Sequence, residues 1–244
     1  MKTLKTILKF VGLFILIKVI FFFFHNIHNN EIKSPNATDY KTSEPTNVQN
    51  SETNNTSVPH HGYHRFMAGY GVSVELPESW YILSDKQVQN IKQKPVSVQF
   101  DNDTNKVTSI AANSDADPKK NQSVFRISFT ESSFSSNDLV NASSQEISEV
   151  CSNLGTSLLK SLPLTGSSLT KQPECHIGSL SKLPAFVSEY ERESVNKDGN
   201  WKVIIYQIPL KNNLAIVTGS YNLKSQEARQ SIEKALYSIS LQLK

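Results

Sequence analysis

Few residues in this chain have side chains able to do chemistry, and they lie far apart in sequence. Cys151 and Cys175 are the only cysteines. An even pair on the oxidising side of a membrane suits a disulfide, here one that would tie a helix to the following strand. Two buried thiols remain the alternative, because unpaired cysteine is itself among the most buried residues. The dipeptide "CH", Cys175 and His176, offers a thiol nucleophile beside an imidazole base, which must meet within hydrogen-bond reach. In a strand, neighbours face opposite sides, so only Cys151 with His176 stays open as a dyad.

"HHGYH" sets His60, His61 and His64 at a spacing that can hold a transition metal. It has no cysteine and no acid beside it, so it reads as a solvated linker and no metal is assigned. "LPLTG", from Leu162 to Gly166, matches the pentapeptide that sortases use, but domain-like sequence continues well beyond it. It is expected to be a loop. Glu189, Glu191 and Glu193 alternate along one segment and predict the solvated face of a strand. Nucleophile elbow, P-loop, dinucleotide fingerprint and H-E-x-x-H helix are all missing. The expectation is a protein that is not an enzyme and uses no cofactor.

The elements that would position these residues follow an N-terminal apolar run. Phe10 to Phe24 contains thirteen Leu, Ile, Val or Phe residues around a single Lys18. Lys18 costs about 2.5–3.5 kcal/mol near a helix centre, whereas each apolar neighbour contributes about −0.3 to −0.6 kcal/mol, so insertion wins. Phe23, Phe24, His25, Asn26 and Ile27 supply no small-residue cleavage site, so the segment is predicted to stay as a signal-anchor over 1–28, with a cleaved signal peptide as the alternative. Lys2, Lys5 and Lys9 should remain cytoplasmic, which sends the rest of the chain across the membrane. The expected location is the cytoplasmic (inner) membrane, single-pass, with the C-terminal domain periplasmic or extracellular.

The 244 residues carry a formal net charge of +3. Four of the 25 basic residues belong to the apolar N-terminus, so the remainder holds 21 against 22 acidic residues. That balance lacks the clustered Lys and Arg needed to neutralise phosphates, and nucleic acid is excluded as a partner. Residues 29–65 are dominated by Asn, Thr, Ser, Pro and Glu and predict a disordered tether.

Residues 66–244 predict an α+β domain with an antiparallel sheet of about six to seven strands flanked by helices. "GVSVELPESW" alternates, with Tyr70, Val72, Val74 and Leu76 on one side, and reads as the first edge of a packed sheet. Ser84 starts a short helix in "SDKQVQNIKQ". "PVSVQF", "KVTSIAA" and "SVFRISF" predict strands, with "DNDTN" as a turn. Leu139, Ile147, Val150, Cys151, Leu154 and Leu158 share the face of one long helix over 136–159. "ECHIGSL", "LPAFVSEYERE", "NWKVIIYQIPL" and "LAIVTGSY" predict four strands, the last three an antiparallel meander turning at "NKDGN" and "KNN". Ser225 caps a final helix along Ala228, Ile232, Ala235 and Ile239. Trp80 and Trp201 are expected in the core, with ligand stacking as the alternative.

An entry strand ending in "LPESW", the strand "VFRISF", a long helix, "LPAFVSEYE", "WKVIIYQIPLKNNLAIVTGSYN" and a last helix entering "SISLQL" resemble the PsbP-like superfamily, over 66–244. That superfamily includes photosystem II extrinsic subunits, a Ran-binding nuclear-transport factor and exported bacterial domains. The resemblance implies a sheet flanked by helices in a family that mostly binds partners without catalysis. It transfers no site residue. The leading expectation is therefore a membrane-anchored envelope protein, bound to the bilayer through its N-terminal helix, whose domain binds an envelope protein. The alternatives are a carrier of a small apolar ligand held between sheet and long helix, and a thiol enzyme using Cys151 or His176.

Overall fold

The computed structural model of this chain describes residues 59–83 and 107–241. The expected anchor, most of the expected tether, the helix from Ser84, the strand "PVSVQF" and the "DNDTN" turn lie outside these residues. Among the described residues no helix is long and apolar enough to cross a membrane.

The chain opens with β1 (Tyr63–Gly69), β2 (Val72–Pro77) and β3 (Tyr81–Ile82), followed by β4 (Val107–Asn113) and β5 (Ser123–Glu131). Two helices come next, α1 (Ser136–Val140) and α2 (Ser144–Ser161), then a 3-10 turn at Pro163–Thr165. Four long strands follow: β6 (Leu169–Leu180), β7 (Leu183–Glu193), β8 (Asn200–Pro209) and β9 (Asn213–Asn222). The described chain closes with α3 (Gln226–Tyr237) and β10 (Ser240–Leu241).

Seven strands form one antiparallel sheet in the order β3-β4-β5-β9-β8-β7-β6, and β1-β2-β10 form a small second sheet. The α+β class and the antiparallel sheet match the sequence expectation. From the middle of the large sheet the chain leaves β5 through α1 and α2, reaches the far edge at β6, and returns by hairpins to pair β9 with β5. Strands in the middle of such a sheet are covered on both faces, and side-chain alternation divides them between two cores. Leu214 and Ile216 of β9 face Val150, Leu154 and Leu158 of α2, while Ala215 and Val217 face Ile232 and Ala235 of α3. β2 adds Val72, Val74 and Leu76 to the α3 side.

Three expectations are corrected. The long helix is two helices, because Ser143 interrupts it with a capping box of its own: its hydroxyl accepts from Glu146 N, and Glu146 Oε2 accepts from Ser143 N at 2.8 Å. Ser135 and Asp138 cap α1 in the same way. "GVSVELPESW" is not a first edge, since β2 lies between β1 and β10 in the small sheet. Tyr70 does not join the Val72 face either; with Gly71 it makes a two-residue hairpin turn at φ 50° and 76°, the left-handed pair such turns require. Its ring packs instead on Phe129, 4.7 Å between centroids.

Candidate functional site

α2 is held to the sheet by a buried stripe, Val150, Leu154 and Leu158, repeating at one turn. The space beneath it is filled by Phe186 and Tyr190 of β7, Val203 and Ile205 of β8 and Leu214 and Ile216 of β9. A carrier would need that volume for its apolar ligand. Farther along α2 the helix meets β6, and there Gly155 permits a close approach: a Cβ at this position would stand 2.9 Å from Gln172 Oε1 and 3.4 Å from Pro173 Cδ.

Toward its N-terminus α2 and β6 bound an open groove of about 660 Å³. The helix wall is Ser144, Ser148 and Ser152, one per turn, with Ile147 and Cys151 beside them; the strand wall is Gln172, Pro173, Cys175, His176 and Ile177. A disulfide joins the walls. Cys151 and Cys175 have their sulfurs 2.09 Å and their Cα atoms 5.7 Å apart. Apart from His176, the lining residues carry no ionisable side chain, and hydroxyls alternate with the apolar Ile147, Ile177 and Pro173.

The disulfide removes both thiols that the nucleophile reading needs. Cys175 turns toward α2, so the pleat sends His176 to the opposite face, across from Val187 of the α3-side core. The Cys151–His176 dyad is therefore not assembled.

His60 and His64 have separate carboxylate partners that sequence spacing did not reveal. His60 Nδ1 lies 2.6 Å from Glu75 Oε2, and His60 N donates to the same oxygen at 3.2 Å. His64 Nε2 lies 3.7 Å from Glu78 Oε1. Tyr63 to Arg65, expected as the end of the tether, begin β1, whose pairing places Arg65 directly across from Glu75. Among the described residues no group of three or more His, Cys, Asp or Glu is arranged to hold a metal. Glu75 is 2% exposed and also accepts from Arg65 Nη2. Burial pushes its carboxyl up, but the hydrogen bonds from His60 and Arg65 outweigh burial and hold it below its ordinary value.

One cluster escaped sequence reasoning. Arg126, in the strand "VFRISF" but not singled out by its spacing, is buried on the α2-side face of β5. Its Nη1 donates to Ala112 O at 2.5 Å and Phe125 O at 2.7 Å, and Nη2 donates to Asn113 Oδ1 at 2.8 Å. Burial lowers its pKa to about 9. Ser128, Thr130, Thr218 and Ser220 extend this polar face across β5 and β9, and all are buried. The only signal was their alternation with Phe125, Ile127 and Phe129, which is also the pattern of a solvated strand face.

Trp80 and Trp201 are buried at 8% and 6% exposure, as core residues should be, and the Arg192 guanidinium stands 5.5 Å from the centre of the Trp201 ring. Glu189 and Glu193 pair with Lys202 and Lys197, both at 2.6 Å, on the partly solvated face expected for them. "LPLTG" is the 3-10 turn after α2 and ends at Gly166 with φ 74°.

No protein-family model matches this chain, and no curated protein matches its sequence. Solved structures align with much of its length at low identity. The immunity protein TplEi of T6SS from Pseudomonas aeruginosa, complexed with "L" peptide, has 11% identity and TM-score 0.40 over 75% of this chain and 99% of its own. LpqN, involved in cell envelope biogenesis of Mycobacterium tuberculosis, has 11% identity and TM-score 0.38 over 70% of this chain and 82% of its own. The solution structure of cyanobacterial PsbP (CyanoP) from Synechocystis sp. aligns with this chain at 9% identity and TM-score 0.45, over 79% of this chain and 98% of that one.

Proposed function

We propose that this chain is a membrane-anchored envelope protein whose folded domain works outside the cytoplasmic membrane as a non-catalytic binding and assembly module. The observation that carries the reading is the Cys151–Cys175 disulfide across an uncharged surface groove. Disulfides persist in oxidising compartments and are rare in the cytosol. The apolar N-terminus supports the same side of the membrane, since Lys2, Lys5 and Lys9 hold the start of the chain in the cytoplasm.

The test uses full-length protein in its native membrane. After chemical crosslinking and extraction in detergent, a stoichiometric protein partner should be recovered, and alkylation before reduction should leave both cysteines unmodified. Repeated recovery of the protein alone, or a C-terminal reporter facing the cytosol, rejects the reading. A small molecule retained in native mass spectrometry would replace it with the carrier.

A further inference from the structure

The geometry points to the β6 edge as a strand-addition site: an extended segment of a partner polypeptide, uncharged at alternate positions, pairs with β6 and sets every second side chain into the α2–β6 groove. This deepens the binding-module reading and rests on it.

Among the described residues β6 is the terminal strand of the seven-stranded sheet and pairs only with β7. At twelve residues it is long for an edge. A strand has hydrogen-bonding groups on both sides, so the outer side of β6 presents a backbone template to another chain. Proteins commonly blunt such edges, and the first half of β6 is blunted in three ways: Pro173, the Lys171–Glu174 ion pair at 2.9 Å, and register shifts between Leu169 and Lys171 and between Lys171 and Glu174. The second half is not. From Glu174 to Leu180 the pairing with β7 is unbroken, so this half of the backbone is regular. The groove spans the junction of the two halves and reaches the regular one at Cys175, His176 and Ile177.

The groove gives such an edge its selectivity. In an added strand alternate side chains face one side of the sheet, and on the α2 side they would meet Ile147, Ile177 and the disulfide, rimmed by Ser144, Ser148 and Ser152. A lining without carboxylate or ammonium has nothing to pair with a charged side chain, whereas small hydroxyls leave room for Val, Thr or Ala. A second copy of this chain fits less well. Twofold self-pairing would present every defect twice, both Pro173 residues and both sets of register shifts, while a foreign strand meets each defect once.

The experiment places a photo-crosslinking amino acid at Glu149 or Ser179, exposed positions flanking the groove, and at Glu227 on α3 as a control, in full-length protein in native membranes. Irradiation should give adducts from Glu149 and Ser179 to one partner segment without charges at alternate positions. The adducts should fall at least tenfold with Ser148→Arg or Ser152→Arg, exposed helix substitutions whose folding is checked by the thermal midpoint. Hydrogen exchange of β6 amides should slow in the purified adduct. Adducts insensitive to both arginines, or unchanged β6 exchange, overturn the proposal. Adducts from Glu227 alone overturn it while leaving the binding-module reading intact; adducts to a second copy replace the partner by a dimer. No adduct from any position removes both.

Discussion

Cys151 and Cys175 bridge 24 residues of chain, and most of what the bond contributes is exerted on the unfolded state, whose freedom it restricts. In the chain-entropy model a loop of this size is worth about 3 kcal/mol. Replacing both cysteines by alanine should lower the unfolding free energy from urea titration by that amount in oxidised protein, and wild type in reductant should follow the double variant. Equal midpoints for oxidised wild type and double variant would show that the bridge adds no stability. Glu75 makes a separate prediction through pH. Its folded carboxyl sits below the ordinary value of 4.5, so its stabilising contribution is present above that pH and is lost as pH falls through the lower folded value. Glu75→Gln should cost about 1.5–3 kcal/mol near neutral pH, the range for charge-assisted hydrogen bonds. The gap between variant and wild type should close on acidification below 4.5. Chemical denaturation of both proteins across pH measures it, and a gap independent of pH would disconnect the carboxylate from the effect.

At the scale of elements, the α3–β9 contact sets the closest tolerance. A Cβ on Gly219 would stand 2.7 Å from Ile232 Cγ2, so α3 lies against β9 where the strand has no side chain. Gly219→Val should therefore destabilise by about 1–3 kcal/mol through overpacking, and pairing it with Ile232→Ala should recover part of that loss. Thermal denaturation of the two single variants and the double variant measures the coupling; additive losses would refute the contact. β7, β8, β9 and α3 were legible in the sequence because both signals agreed there: continuous apolar runs between polar turns, and Ser225 ahead of a helical repeat. β1 was not. Only Ala68 of its seven residues is fully buried, so "YHRFMAG" lacks a clear alternation. The β6–β7 turn was equally silent, since Ser181 and Lys182 take left-handed backbone at φ 52° and 67° without the Gly or Asn that announces such a hairpin. The groove was half legible: the cysteines suggested a helix tied to a strand, but the serine rim is visible only once α2 lies along β6. Arg126 and Glu75 were illegible for one reason, that a buried charge in a strand has the same spacing as a solvated one.

For the molecule as a whole, the arrangement of the sheet decides how it unfolds. β7, β8 and β9 send alternate residues to opposite faces: Phe186, Ile205 and Ile216 pack under α2, while Val187, Ile204 and Val217 pack under α3 and β2. Removing either covering layer exposes strands that the other core also needs. Neither core can then melt alone without losing the ladder that supports its partner, and one cooperative transition is expected. The two tryptophans make this measurable, because Trp80 belongs to the α3-side core and Trp201, across the ladder from Arg192 and Asn222, reports the opposite face. Trp80→Phe and Trp201→Phe each leave a single fluorophore. Within each variant, fluorescence and far-ultraviolet circular dichroism should give the same urea midpoint and slope. If the Trp201 signal is lost at lower urea than the circular dichroism while the Trp80 signal is not, then α2 and its core form a separate unit, and the large sheet does not bind the two faces into one.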